Sequence, residues 1–155
     1  MKEFSEVEIL LVEDNPHDAE LAIRAFEKSH VTNRLVHVHN GEEALDFLFA
    51  RGNFTGRRVE DAPKVVLLDL KLPKVDGLHV LKAIRSDPRT RFIPVVVLTT
   101  SKEESDMIAS YTVGVNSYIV KPVDFDKFIQ SVKDIGLYWL LLNQRPVGKA
   151  APENG

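Results

Sequence analysis

Three short apolar runs constrain this chain more than any other feature: Ile9–Val12, Val65–Leu68 and Val95–Leu98. Each is rich in β-branched residues or leucine, too short for a helix, and apolar on both alternating sides. A strand of that kind must be covered on both faces, as central strands of parallel sheets are. Leu35–Val38 and Tyr118–Val120 are weaker runs of the same type. Between the runs the spacing becomes helical. Asn15-Pro16 reads as an N-cap followed by proline at the first helical position, and Ala19, Ala22, Ile23 and Phe26 then share one helix face. Glu42–Phe49 and Leu78–Ile84 predict second and third helices, and Ser101–Glu104 offers a capping box for a fourth. Phe125, Phe128, Ile129, Val132, Ile135, Trp139 and Leu142 trace an extended C-terminal helix. Strand and helix alternate five times, which predicts an α/β fold: a flavodoxin-like, doubly wound parallel sheet in the order 2-1-3-4-5.

The length of 155 residues fits one domain, and composition removes several functions. No Cys is present, so a disulfide framework, a thiolate metal site and a cysteine nucleophile are excluded. A net charge of −3 gives no electrostatic reason to expect nucleic-acid binding. The longest unbroken apolar run, Leu137–Leu142, is far below the roughly 18 residues of a membrane span. Acidic residues interrupt the first apolar stretch, which does not read as a signal peptide. The expectation is a cytoplasmic domain over residues 1–146, with a core at about 8–143 and a disordered tail at 147–155. Ala50–Pro63, with no periodicity, is longer than an ordinary helix–strand loop.

In an open parallel sheet, ligands bind beyond the carboxyl ends of the strands, at the switch point beside the first strand. The residues following the apolar runs are Glu13-Asp14, Asp69, Thr99-Thr100 and Lys121-Pro122. Three carboxylates converging there repel one another unless a cation neutralises them. Hard oxygen donors without Cys or nearby His suit Mg²⁺, which keeps several waters and readily accepts a phosphate oxygen. A lysine and a hydroxyl alongside supply a point charge and a hydrogen bond to further phosphate oxygens. The implied chemistry is phosphoryl transfer onto a carboxylate, with Asp69 as nucleophile.

Four blocks, LLVEDN (Leu10–Asn15), LLDLKLPKVDG (Leu67–Gly77), VVLTTS (Val96–Ser101) and YIVKP (Tyr118–Pro122), make the chain resemble the receiver domain of bacterial response regulators. The long loop and the ending GLYWLLLNQRP (Gly136–Pro146) are similar to the single-domain regulators paired with bacterial and cyanobacterial phytochromes. The resemblance implies that Asp69 is the phosphoacceptor and that Glu13, Asp14, Asp69 and the backbone carbonyl of Lys71 hold Mg²⁺. It implies that Thr99, the backbone of Thr100 and Lys121 bind the phosphoryl group, that Thr99 and Tyr118 form a switch, and that Lys121-Pro122 is a cis peptide. The expected function is that of a stand-alone response regulator, not an enzyme in its own right, that takes its phosphoryl group from a sensor histidine kinase. Glu13 stands where many receivers have Asp, and Lys71 is a less usual occupant two residues past the acceptor.

The remaining features divide less sharply. His37 and His39 share one face of the second strand, but no third ligand is evident and surface histidines are expected. His17 and His79 fall on exposed helix turns, and Arg51, Arg57 and Arg58 lie on a solvated loop or one that meets an acidic kinase surface. The last helix leaves Leu137, Tyr138, Leu140 and Leu141 outside its core stripe. That predicts a second chain over them, a homodimer or a docked kinase, unless the helix folds back on its own sheet edge. Three rivals remain. A flavodoxin-type electron carrier would need a hydroxyl- and amide-rich loop where VEDNPHD stands, and an aspartyl-phosphate hydrolase would need an acid at Lys71. A phosphate-independent, receiver-like adaptor is the third.

Overall fold

The computed structural model describes residues 9–29, 34–99 and 117–120, with the single positions Asp126, Lys127, Gln130 and Asp134. Five parallel strands form one sheet: β1 (Ile9–Val12), β2 (Leu35–Val38), β3 (Val65–Asp69), β4 (Val95–Thr99) and β5 (Ser117–Val120), in the order β2-β1-β3-β4-β5. The helices are α1 (Pro16–Ser29), α2 (Gly41–Leu48) and α3 (Gly77–Ser86). This is the flavodoxin-like order expected from the alternation of strand and helix patterns.

The double coverage inferred from the apolar runs is visible in the core. Leu10, Val12, Val66, Leu68, Val95 and Val97 pack with Phe47 and Leu48 of α2 and with Val80, Leu81 and Ile84 of α3. The alternate residues Ile9, Leu11, Val65, Leu67, Val96 and Leu98 pack with Ala19, Ala22, Ala25 and Phe26 of α1. Full burial of each strand leucine contributes about 1.5–3 kcal/mol, so the runs anchor both layers. β2, at the sheet edge, is only half-buried over Leu35–His37.

The helix starts follow side-chain chemistry. Asn15 Oδ1 accepts the Asp18 amide at 3.0 Å, Asn40 Oδ1 accepts the Glu43 amide at 2.8 Å, and Asp76 Oδ1 accepts the His79 amide at 2.9 Å. Each satisfies a donor that the first helical turn leaves orphaned. α2 and α3 begin at Gly41 and Gly77, earlier than periodicity alone placed them. No helix among the described residues is long and apolar enough to cross a membrane.

The long α2–β3 connection departs from the expectation of a solvated loop. It opens with one 3₁₀ turn, Gly52–Phe54, and then buries Arg57 to 6% exposure. The guanidinium donates to the carbonyls of Phe47 and Asp61 and lies 3.9 Å from the centroid of the Phe47 ring. Two carbonyl acceptors and an aromatic face compensate for part of the lost hydration, although burial still pulls the guanidinium pKa below its ordinary value. Arg57 is therefore a tie between loop and α2, while Arg51 and Arg58 are exposed. His17 and His79 are exposed, as expected.

The segment expected to form the fourth helix and the segment carrying Leu137, Tyr138, Leu140 and Leu141 lie outside the described residues. Of the final helix, Asp126, Lys127, Gln130 and Asp134 are helical and exposed, and Gln130 Nε2 donates to Asp134 Oδ1 at 3.1 Å. They are polar positions between the apolar ones used to predict that helix.

Candidate functional site

Strand register builds the site. β1 and β3 are neighbours with Val12 opposite Leu68, so the next residues, Glu13 and Asp69, emerge side by side at the carboxyl edge. Asp14 follows on the turn into α1. Carboxylate oxygens of Glu13, Asp14 and Asp69 all lie within 4.8 Å of one another. Glu13 is 1% exposed and Asp69 4%, whereas Asp14 faces solvent. Two buried carboxylates thus sit beneath an accessible one, at the sheet's switch point.

Backbone contacts hold each carboxylate in place. The Glu13 amide donates to the Val38 carbonyl of β2 at 3.1 Å, and Glu13 Oε2 accepts the Asn15 amide at 3.1 Å. Asp69 Oδ1 accepts the Lys71 amide at 3.2 Å. The loop after β3 is closed by Leu70, whose amide donates to the Leu98 carbonyl at 3.1 Å and whose carbonyl accepts the Gly77 amide at 2.9 Å. A Cβ at Gly77 would overlap the Asp69 carbonyl and the Leu70 backbone, so only glycine permits this approach. The α2 N-terminus abuts the same loop: a Cβ at Gly41 would overlap the Val75 carbonyl, and Lys74 Nζ lies 3.6 Å from Glu42 Oε1.

Clustered carboxylates with no thiol or imidazole nitrogen among them make a hard, all-oxygen donor set. That set fits a small divalent cation such as Mg²⁺, with water in the remaining positions. Lys71 is exposed and is tied to the acidic cluster through its backbone amide, which donates to Asp69. Thr99 ends β4 with its backbone opposite Val120 of β5, and Tyr118 pairs with Val97. The structure thereby brings the ends of β1, β3, β4 and β5 to one edge. Thr100, Lys121 and Pro122 lie outside the described residues.

Two contributors escaped sequence reasoning. His37, expected to be an ordinary surface histidine, is half-buried and places Nε2 2.8 Å from the Glu13 carbonyl oxygen. Asn15 reads from sequence as a cap alone, yet its backbone amide also donates to Glu13. Both depend on register and turn geometry, and composition at those positions gives no sign of them.

Comparison with known proteins agrees with this fold. Residues 9–133 match the response regulator receiver domain. The chain is 47% identical over 138 residues to the probable methanogenesis regulatory protein FilR2 of Methanothrix harundinacea (strain 6Ac), covering 89% of this chain and 86% of the relative. It is 39% identical over 132 residues to the response regulator Rcp1 of Synechocystis sp. (strain ATCC 27184 / PCC 6803 / Kazusa), covering 85% and 88%. Among solved structures, the bacteriophytochrome response regulator RtBRR superposes with a TM-score of 0.77 at 50% identity, covering 92% of this chain and 85% of its own. The Mn²⁺-bound form of Rcp1 gives 0.74 at 39% identity, covering 86% and 94%. The phosphorylated cyanobacterial phytochrome response regulator RcpA gives 0.75 at 42% identity, covering 87% and 94%. With the sheet order, the acidic cluster and a match over most of its length in agreement, the chain belongs to the response regulator receiver domain family.

Proposed function

We propose that this protein is a stand-alone response regulator that accepts a phosphoryl group from a sensor histidine kinase onto Asp69. The observation that carries the proposal is the placement of Asp69, 4% exposed, within 4.8 Å of the Glu13 and Asp14 carboxylates. An Asp69 carboxylate oxygen bonds to phosphorus as the bond from phosphorus to the donor breaks, giving an acyl phosphate. Mg²⁺ bound by Glu13, Asp14, Asp69 and the Lys71 carbonyl would neutralise charge on the transferring group. Thr99, the Thr100 backbone and Lys121 receive the phosphoryl oxygens, and Thr99 with Tyr118 relays the change to the surface. Related structures support two parts of this reading, since one relative is Mn²⁺-bound and another is phosphorylated.

The kinase proposed is a phytochrome-type sensor, by analogy with RtBRR and RcpA. The chain would work in the cytoplasm as a single domain and signal through protein contacts, with Leu137, Tyr138, Leu140 and Leu141 as its self-association surface. The test is intact mass after incubation with acetyl phosphate. One phosphoryl adduct should appear with Mg²⁺, vanish without it, and vanish in Asp69→Asn while the fold is retained. An adduct that persists in Asp69→Asn refutes the assignment. Failure to bind beryllofluoride, together with no adduct, would favour a phosphate-independent adaptor.

A further inference from the structure

We infer that His37 is a positioning residue of the acidic site, acting on Glu13 and Asp14 from the neighbouring strand. The inference rests on reading the acidic cluster as a divalent-cation site. His37 Nε2 lies 2.8 Å from the Glu13 carbonyl oxygen. A carbonyl only accepts, so Nε2 carries the hydrogen and donates it. That carbonyl belongs to the peptide plane joining Glu13 to Asp14. Because the plane is rigid, its rotation fixes both the last dihedral of Glu13 and the first of Asp14. Holding the carbonyl therefore sets the relative direction of two carboxylates that must converge on Asp69. The Glu13 amide is held on its other side by the Val38 carbonyl at 3.1 Å, so adjacent β2 residues grip the turn at both ends.

The His37 ring is itself supported. Its centroid lies 4.3 Å from that of the His39 ring. His39 is fixed in turn by Glu43, whose Oε1 accepts the His39 amide at 2.8 Å and lies 3.3 Å from His39 Nδ1. Glu43 belongs to the first turn of α2, where its own amide donates to the Asn40 cap at 2.8 Å. The cap of α2 thus braces His39, His39 packs against His37, and His37 holds the Glu13–Asp14 peptide. Groups that orient metal ligands from behind set affinity by limiting how far the ligands must reorganise on binding.

The two side-chain amides separate this role from simple packing. A glutamine at 37 places an amide nitrogen near the position of Nε2, whereas an asparagine reaches only as far as Nδ1. Both are polar and suit a half-buried edge strand. The experiment compares wild type, His37→Gln, His37→Asn and Asp14→Ala as full chains, titrated with Mn²⁺ and read by the resonance signal of the free ion. Acetyl phosphate labelling is followed in parallel against Mg²⁺ concentration. The expected result is about three- to tenfold weaker Mn²⁺ binding in His37→Asn, the range of one hydrogen bond, with His37→Gln within about twofold of wild type. The Mg²⁺ concentration for half-maximal labelling should rise in His37→Asn while the labelling plateau stays unchanged. Equal Mn²⁺ affinity in all three versions of residue 37 would overturn the inference. So would a fall in plateau and melting temperature with no change in half-saturation, the pattern of a merely structural residue. Wild-type Mn²⁺ affinity in Asp14→Ala would instead overturn the cation-site reading beneath it.

Discussion

Gly77 packs directly on the backbone of Asp69, and its amide donates to the Leu70 carbonyl at 2.9 Å. The first residue of α3 thereby clamps the chain that carries the candidate phosphoacceptor. In Gly77→Ala, helix propensity would favour alanine by at most about 1 kcal/mol. The added Cβ meets backbone atoms, which cannot rotate away as a side chain can, and overpacking of that kind costs about 1–3 kcal/mol. The clash should win. Urea denaturation should show a net loss of stability, and Mn²⁺ titration a weaker site, since Asp69 has to move. A variant neutral in both measurements would mean that the loop relaxes without disturbing Asp69.

Asn15 separates capping from site building within one residue. Its side chain caps α1 through the Asp18 amide, while its backbone amide holds Glu13 Oε2. Asn15→Ala removes the first contact and keeps the second. Stability should fall by about 1 kcal/mol, the usual worth of an N-cap, while Mn²⁺ affinity stays within about twofold. A large loss of affinity at unchanged stability would reverse the two roles.

Arg57 should be one of the costlier residues to truncate outside the apolar core. Its guanidinium serves two carbonyls and the Phe47 ring, and hydrogen bonds to charged groups are each worth about 1.5–3 kcal/mol. Arg57→Ala should destabilise by about 2 kcal/mol or more in chemical denaturation. Arg57→Lys should recover little, because an ammonium lacks the planar fork that reaches both carbonyls while stacking. A loss below about 0.5 kcal/mol would place Arg57 among ordinary surface residues.

These cases mark where sequence stops being informative. The runs at Ile9–Val12, Val65–Leu68 and Val95–Leu98 were legible because burial on both faces leaves no polar position in them, and the observed strands contain all three. Glu13, Asp14 and Asp69 were legible because they follow those runs directly, and register alone makes them converge. Gly41 and Gly77 carry no side chain to join a periodic pattern, so the helix starts they form went unread. Arg57 reads as a loop cation because its compensating carbonyls, at Phe47 and Asp61, come from separate turns of chain. His37 reads as a surface residue because its partner is a main-chain oxygen 24 positions away. Side-chain pattern reports which face a residue occupies, and it is silent about which backbone atom that face meets.

The turn after α3 supplies a pH prediction with a definite sign. Asp87 lies at the α3 C-terminus and makes a bidentate pair with Arg89, at 3.0 Å to Nε and 2.9 Å to Nη2, while also accepting the Arg89 amide at 2.8 Å. The side-chain bonds first, and the amide second, hold its carboxyl down from the ordinary 3.8 to about 2. A carboxyl depressed in the folded state adds stability that is fully present above its unfolded value. That contribution is lost as pH falls from about 3.8 through about 2. Carbon-detected NMR titration should give a midpoint near 2 for Asp87 in wild type, moving back toward 3.8 in Arg89→Met. Because the pair is at the surface, added salt should raise the wild-type midpoint and leave the variant nearly unchanged. A midpoint near 3.8 in both proteins would show that the pair is not formed in solution.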